Sequence, residues 1–466
     1  TAEASLALLT AFKSSVTLRA DGFALLLLLT LLFVALWAVL FSTRYMPSVR
    51  TRAVGRYYPA FLLMVLSAAA VLLAGDLLLL FIAWEFISLP AFLLIVHQDR
   101  RTESVRAGIN YLVLNGVGGL ALLTALLIIY PHTESYSFGD VQAALRALVV
   151  TRPWLVNLII GLLMLPFGTK AGLFPTGDWA PAAYTAATCP AAALLSGVVS
   201  KLGPYAALRT LLWVLPIDVM PVGWLEYWGM ALGVWGAASI LLGSSAAVVA
   251  DDSKRLLAFS SVSQSGYMFM AIGVALAALN RAPTVANLAL IGCCVHMVAD
   301  ALAKGALFLV TGSVGFRTAT NDLNKLGGLE SQMPRTTLVA VAGAASLAGL
   351  PLTGAFVSKW LIIQSALWLG PAHAVFLACV VVALLGSVLA VAYGLKFVGA
   401  IFLGPQSKLV ALVQGGEAPG WMGVTPAVLA AGSYVIGLLP ALLIRPIVTS
   451  LPAAPGRFAA QALSEV

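Results

Sequence analysis

Predominantly apolar runs of eighteen or more residues recur along the whole of this chain. A run of that length, wound as a helix, matches the thickness of a bilayer's hydrocarbon core. Inside lipid, a helix satisfies its own backbone polar groups, which an isolated strand does not. Twelve membrane spans are predicted, near 22–43, 57–74, 77–97, 105–130, 154–174, 186–208, 227–250, 256–279, 285–314, 336–369, 374–403 and 422–444. Segment 1–20 is too broken by charge for a span and reads as an interfacial helix. The composition excludes a large soluble core: 61% of residues are hydrophobic and 9% charged, where a soluble domain has about 25% charged.

With so few charges, each has positional meaning. Thirteen Lys and Arg fall in loops on one side: Arg44, Arg50, Arg52, Arg56, Arg100, Arg101, Arg106, Lys254, Arg255, Arg317, Lys325, Arg335 and Lys408. Seven fall on the other: Lys13, Arg19, Arg146, Arg152, Arg209, Arg281 and Arg457. The positive-inside rule then puts the first set in the cytoplasm and both termini outside. The net charge of +8 is therefore a topology signal rather than a nucleic-acid signal. The opening TAEASLALLT lacks a basic n-region and is not read as a removable leader.

Several ionisable residues remain within the apolar spans: Glu85, Lys170, Lys201, His296, Asp300, Lys304, Lys359 and Lys396. Each costs at least about 2.5–3.5 kcal/mol near the bilayer centre, so such residues are functional by default. His296, Asp300 and Lys304 are spaced four and four apart in VHMVADALAKGALFLV, along one face of a helix. Two readings stand for this row: a proton relay, or an Asp300–Lys304 pair that neutralises itself beside a core histidine. Asp251, Asp252, Lys254 and Arg255 read as a loop anchor at a helix N-terminus, where acids suit the dipole.

Two spans are interrupted. Pro166, Gly168, Gly172 and Pro175 bracket Lys170, and Gly349, Pro351 and Gly354 precede Lys359. Broken helices at matching places in two halves point to a transport site. The shift is five helices in each case, as it is from Lys201 to Lys396. The expected fold is an all-α polytopic membrane protein of about twelve transmembrane helices, with two inverted five-helix repeats and two discontinuous helices. Its expected segments are 1–56 (first span), 57–208 (first repeat), 209–250 (linker and first helix of the second repeat), 251–404 (rest of that repeat) and 405–466 (last span and tail).

Other chemistries find little support. Cys189, Cys293, Cys294 and Cys379 lie in apolar surroundings without metal-ligand spacing and read as small apolar fillers. No P-loop or dinucleotide-binding glycine pattern is present, and GVGG at 116–119 lies within a helix, where small residues allow close approach. A bis-histidine haem needs two facing histidines, and His296 alone is central.

Six segments, in order, carry a resemblance: LLLLFIAWEFISLPAFLL (78–94 within it), FGTKAGLFPTGDWAPAAY, ALLSGVVSKLGPYAALR, DDSKRLLAFSSVSQSGYM, HMVADALAKGALFL, and LNKLGGLESQMPRT with GLPLTGAFVSKWLI. Together they resemble the antiporter-like subunits shared by respiratory complex I, energy-converting membrane hydrogenases and Mrp-type Na⁺/H⁺ antiporters. The resemblance implies that Glu85 pairs with the broken-helix lysine Lys170, that Lys201 and His296 with Lys304 relay protons, and that Lys359 is the exit-side site. Asp300 stands where many members have a second histidine, and Lys396 matches only loosely. Gly177 and Asp178 replace the histidine usual in the FPxHxWLP turn. Members usually carry two further helices before the span at 22–43.

The expected function is proton translocation along a mid-membrane Glu/Lys/His/water axis, in a redox-driven complex such as an NADH:quinone oxidoreductase or a membrane hydrogenase. The alternatives are a Mrp-type Na⁺/H⁺ antiporter or an inorganic-carbon uptake complex. No cofactor is expected in this chain, redox groups being left to partner subunits. The expected partners are other membrane subunits, including homologous ones, and the lipid bilayer, with H⁺, or Na⁺ in the antiporter alternative, as cargo and no nucleic acid. The expected location is a bacterial plasma membrane or another energy-converting membrane.

Overall fold

The computed structural model describes residues 2–9, 14–48, 54–98, 102–412 and 416–450. It opens with an antiparallel hairpin of β1 (Ala2–Leu9) and β2 (Ser14–Ala20). The expected interfacial helix over 1–20 is thus corrected to strands. β2 is held by pairing that a short charged helix would not make. Thr17 N–H donates to Asp76 Oδ2 (2.6 Å), Arg19 N–H to Leu73 O (2.8 Å), and Gly75 N–H returns to Thr17 O (2.9 Å).

Helices follow: α1 (Gly22–Tyr45), α2 (Val54–Leu72), α3 (Leu77–Phe86), α4 (Ser88–Ile95), α5 (Thr102–Thr133), α6 (Phe138–Thr151), α7 (Pro153–Ala171), α8 (Trp179–Ala186), α9 (Cys189–Gly197), α10 (Leu202–Trp213), α11 (Val222–Val249), α12 (Ser253–Ala278), α13 (Pro283–Thr318), α14 (Pro334–Ala348), α15 (Gly354–Leu369), α16 (Ala374–Ile401), α17 (Lys408–Leu412), α18 (Trp421–Leu438) and α19 (Ala441–Ser450). Among the described residues, eleven helical segments are long and apolar enough to cross a bilayer, with α3–α4 and α9–α10 each counted as one. The one remaining predicted span, 336–369, is the pair α14 and α15, each too short to cross alone. The chain is a multi-pass membrane protein. The short α6 between α5 and α7 was not foreseen. The loop cations Lys13, Arg50, Arg52, Arg100, Arg101 and Arg457 lie outside the described residues.

The two interruptions have a common start. α7 ends at Gly172 (φ +81°) and α14 at Gly349 (φ +80°), both in the left-handed conformation favoured by glycine at a helix C-terminus. Pro166 does not break its helix: α7 runs through it to Ala171. Two further features recur. Asp76 caps α3, taking Leu79 N–H at 2.7 Å, and its backbone bridges to Ser137. Asp252 caps α12, taking Arg255 N–H at 2.9 Å, and its backbone bridges to Asp322. The anchor role read for Asp251–Arg255 takes this form.

The most apolar eighteen-residue stretches of α12 and of the α9–α10 segment are completely buried in the bundle, and that of α13 nearly so. α13 packs against α1, α9, α12, α14, α15 and α18. Lys201, Arg209, His296, Asp300 and Lys304 on these helices therefore face protein rather than lipid. The four cysteines are buried and free.

Candidate functional site

Lys170 is buried on the last turn of α7. Its Nζ donates to Ser88 Oγ at 3.3 Å and sits over the rings of Trp84 (5.1 Å) and Tyr111 (5.9 Å). Aromatic faces stabilise a cation where water is scarce. Glu85, on α3, is within electrostatic reach of Lys170. Among the described residues no ion pair joins the two, and Glu85 Oε1 is buried without a hydrogen-bond partner. The expected Glu85–Lys170 relation is thus proximity, with the carboxylate disengaged.

Lys201 lies in the 3₁₀ turn between α9 and α10. Gly203 lets that turn approach the end of α7, since a Cβ there would meet Ala171 N at 2.9 Å. Lys201 Nζ forms an ion pair with Asp300 Oδ2 at 2.5 Å and donates to Ser196 O (2.6 Å) and Ser200 Oγ (3.2 Å). Snorkelling of Lys201 toward a surface does not occur. Asp300 pairs across the bundle with Lys201, so the self-contained Asp300–Lys304 pair is overturned. Lys304 turns instead to α12, donating to Leu257 O (2.8 Å) and Ser260 Oγ.

One turn before Asp300, His296 Nδ1 shares a hydrogen bond of 2.8 Å with Ser358 Oγ on α15, leaving Nε2 buried and unpartnered. The next residue on α15 is Lys359. Its Nζ reaches back across the break to Leu347 O and Ala348 O, both at 3.2 Å, and lies 5.0 Å from the ring of Tyr267. Those carbonyls are the open C-terminal end of α14, where the helix dipole favours a cation. Lys170 therefore precedes its break and Lys359 follows its own, so the two are not strict counterparts. Asp300 is the common neighbour of this cluster, with Lys201, His296, Lys304 and Lys359 all within its electrostatic reach.

Lys396 does not join this cluster. Its side chain is 29% exposed at the bundle's edge, against 4% or less for the side chains of the Lys201–Asp300 pair. It bonds Val248 O (2.9 Å) and pairs with Asp251 (3.4 Å). Its loose fit to the pattern corresponds to a peripheral place.

The sequence reading missed the polar groups that line the row: Ser88, Ser196, Ser200, Ser260 and Ser358, and Gln264, which donates to Tyr393 OH at 3.0 Å. The stretch SSVSQSGY on α12 was the available signal, with four serines and a glutamine, all of them buried. Arg209, counted as a loop cation, is instead fully buried on α10. It grips Asp21 through two bonds (2.5 and 2.9 Å), with Tyr205 OH accepting a third at 2.8 Å. Burial opposes ionisation of Asp21, yet the bonds and charge of Arg209 outweigh it and hold this carboxyl below its ordinary range. Among the described residues, no group of three or more His, Cys, Asp or Glu is placed to hold a metal ion.

Comparisons with known proteins agree with this architecture. The chain is 31% identical to hydrogenase-4 component B of Escherichia coli (strain K12), over 91% of this chain and 62% of that protein. It is 30% identical to Na⁺/H⁺ antiporter subunit A1 of Staphylococcus haemolyticus (strain JCSC1435), over 92% of this chain and 53% of that one. It thus spans less than two thirds of these relatives. A chain in the structure of the membrane-bound sulfane sulfur reductase, an archaeal respiratory membrane complex, superposes with a TM-score of 0.81 at 27% identity, covering 97% of this chain and 70% of that one. The model of the family described as NADH:quinone oxidoreductase/Mrp antiporter, TM, matches residues 74–386, and the chain belongs to that family.

Proposed function

We propose that this chain moves protons laterally through the middle of the membrane, as one subunit of a redox-driven complex related to NADH:quinone oxidoreductases and membrane hydrogenases. Glu85, Lys170, Lys201, Asp300, His296, Lys304 and Lys359 are the stations, and Lys396 takes no part. The observation that carries this reading is the Lys201–Asp300 pair, which ties the first half of the bundle to the second through two buried charges. A pair with no surface access has little purpose as a surface anchor, and breaking buried charges is costly.

The chemistry follows from competing terms. Burial favours a neutral amine, and a nearby carboxylate favours the ammonium. When Glu85 stands off, Lys170 has its cation stabilised only by rings and a hydroxyl, so a proton passes on toward Lys201. Asp300 takes up the proton that Lys201 releases there, and His296, the residue type that titrates nearest neutrality, passes it toward Ser358 and Lys359. Open carbonyls at the α14 break hold the last ammonium before release. Water completes the links between these groups.

The basic loops face the cytoplasm, the membrane is a bacterial plasma membrane or another energy-converting one, and redox groups and homologous antiporter-like subunits are supplied by partners. The repeats comprise 57–208 and 209–404, the second beginning with the linker and α11. A second reading, Mrp-type Na⁺/H⁺ exchange, draws on the named activity of the staphylococcal relative. Sodium-dependent proton flux without a redox donor would select it.

The test is proton pumping by the native complex in membrane vesicles carrying Lys170→Ala or Glu85→Gln. Both variants are expected to lose most pumping. Undiminished pumping would remove the proposed axis.

A further inference from the structure

The sequence GVGG places three glycines on one stretch of α5, and the structure gives each a different neighbour. A Cβ at Gly116 would meet nothing within 4 Å. One at Gly118 would press on the Pro166 backbone at 3.2 Å, so that glycine serves the packing of α5 on α7. One at Gly119 would fall on the Glu85 carboxylate, against Oε1, Cδ and Oε2. The space that a side chain would fill is the space the carboxylate occupies.

We infer that Gly119 is a positioning residue that holds a notch for Glu85 in its disengaged state. Glu85 Oε1 lies in this notch buried and without a hydrogen-bond partner, while Lys170 bonds Ser88 instead. A carboxylate oxygen parked without a donor is held by shape, because an unpaired buried oxygen has no favourable bond to keep it there. Filling the notch displaces a flexible chain end rather than backbone, so the fold tolerates the change. The displaced carboxylate moves toward Lys170, the cation within its electrostatic reach, and stays there. Turnover needs both positions, so removing the notch stops the cycle with Glu85 engaged. The inference rests on the proposed role of the Glu85–Lys170 pair.

The experiment measures proton pumping by the native complex in vesicles carrying Gly119→Ala, Gly116→Ala, and Gly119→Ala combined with Glu85→Asp. Immunoblotting gives the amount of chain assembled. Gly119→Ala is expected to assemble normally and to lose at least tenfold in pumping, with Gly116→Ala within twofold of the parent. Aspartate is one methylene shorter and restores room, so the double variant is expected to recover several-fold over Gly119→Ala alone. A packing defect at Gly119 would not be rescued by shortening Glu85. Pumping within twofold of the parent for Gly119→Ala, or loss without rescue in the double variant, overturns the inference. If Glu85→Gln itself pumps normally, the underlying relay is what fails.

Discussion

The Lys201–Asp300 pair offers the sharpest energetic test. The two charges are 2.5 Å apart with both side chains at most 4% exposed. At an effective dielectric of about 20, their attraction is about 7 kcal/mol before desolvation is charged against it. Removing one partner leaves a buried charge uncompensated and costs about 3–5 kcal/mol, whereas replacing both by apolar residues of similar volume is often close to neutral. Lys201→Met and Asp300→Leu are therefore each expected to destabilise the chain by about 3–5 kcal/mol, and the double variant to fall within about 1 kcal/mol of the parent. Lys201→Met also deprives Ser196 O and Ser200 Oγ of a donor, so its loss is expected to be the larger. Pulse proteolysis of the purified complex across a urea series, with immunoblot detection of this chain, reads the midpoints. Losses that simply add in the double variant, or single variants within about 1 kcal/mol of the parent, would refute a coupled pair.

Three other outcomes follow from the geometry. Asp21 is held below its unfolded value of 3.8 by Arg209, so its contribution is fully present above about pH 4 and is lost as pH falls through the lower folded value; an Asp21→Asn complex should show a weaker acid-induced loss of stability than the parent below that pH. Gly349→Ala places a side chain at φ +80° and 3.0 Å from Lys359 Cδ, which should cost about 1–2 kcal/mol in the same proteolysis assay and reduce pumping by displacing the amine from the α14 carbonyls. Glu417 takes Arg335 N–H at 2.5 Å and Thr336 Oγ at 2.6 Å, capping α14 from a distant loop; Glu417→Ala should lower stability by about 1 kcal/mol, measurable as a shifted urea midpoint.

The spans and the two interruptions were readable because hydropathy and helix breakers act locally. So were the buried lysines, which stand out against apolar neighbours. Partner choice was not readable. Asp300 has Lys304 one turn away on its own helix and pairs with Lys201 from another, a choice made by how α13 and the α9–α10 turn are rotated against each other. Arg209 sits at the end of an apolar run, where a cation ordinarily reaches water. Its partner Asp21 is 188 residues earlier and reaches it because the start of α1 packs on α10, with Phe23 stacked on Tyr205 and Trp213. Pro166 was expected to break α7, but the helix continues to the glycine six residues on. The hairpin was missed because β2 is anchored by Leu73 and Gly75, which belong to a turn distant in sequence.

The central claim is that protons pass through the buried row rather than around it. Proton flux of the native complex in inverted vesicles, compared between Lys201→Ala and Lys396→Ala at equal assembly, tests this most directly. The row's station should lose at least tenfold and the edge residue should stay within twofold of the parent. Equal flux from both variants would contradict a path through Lys201.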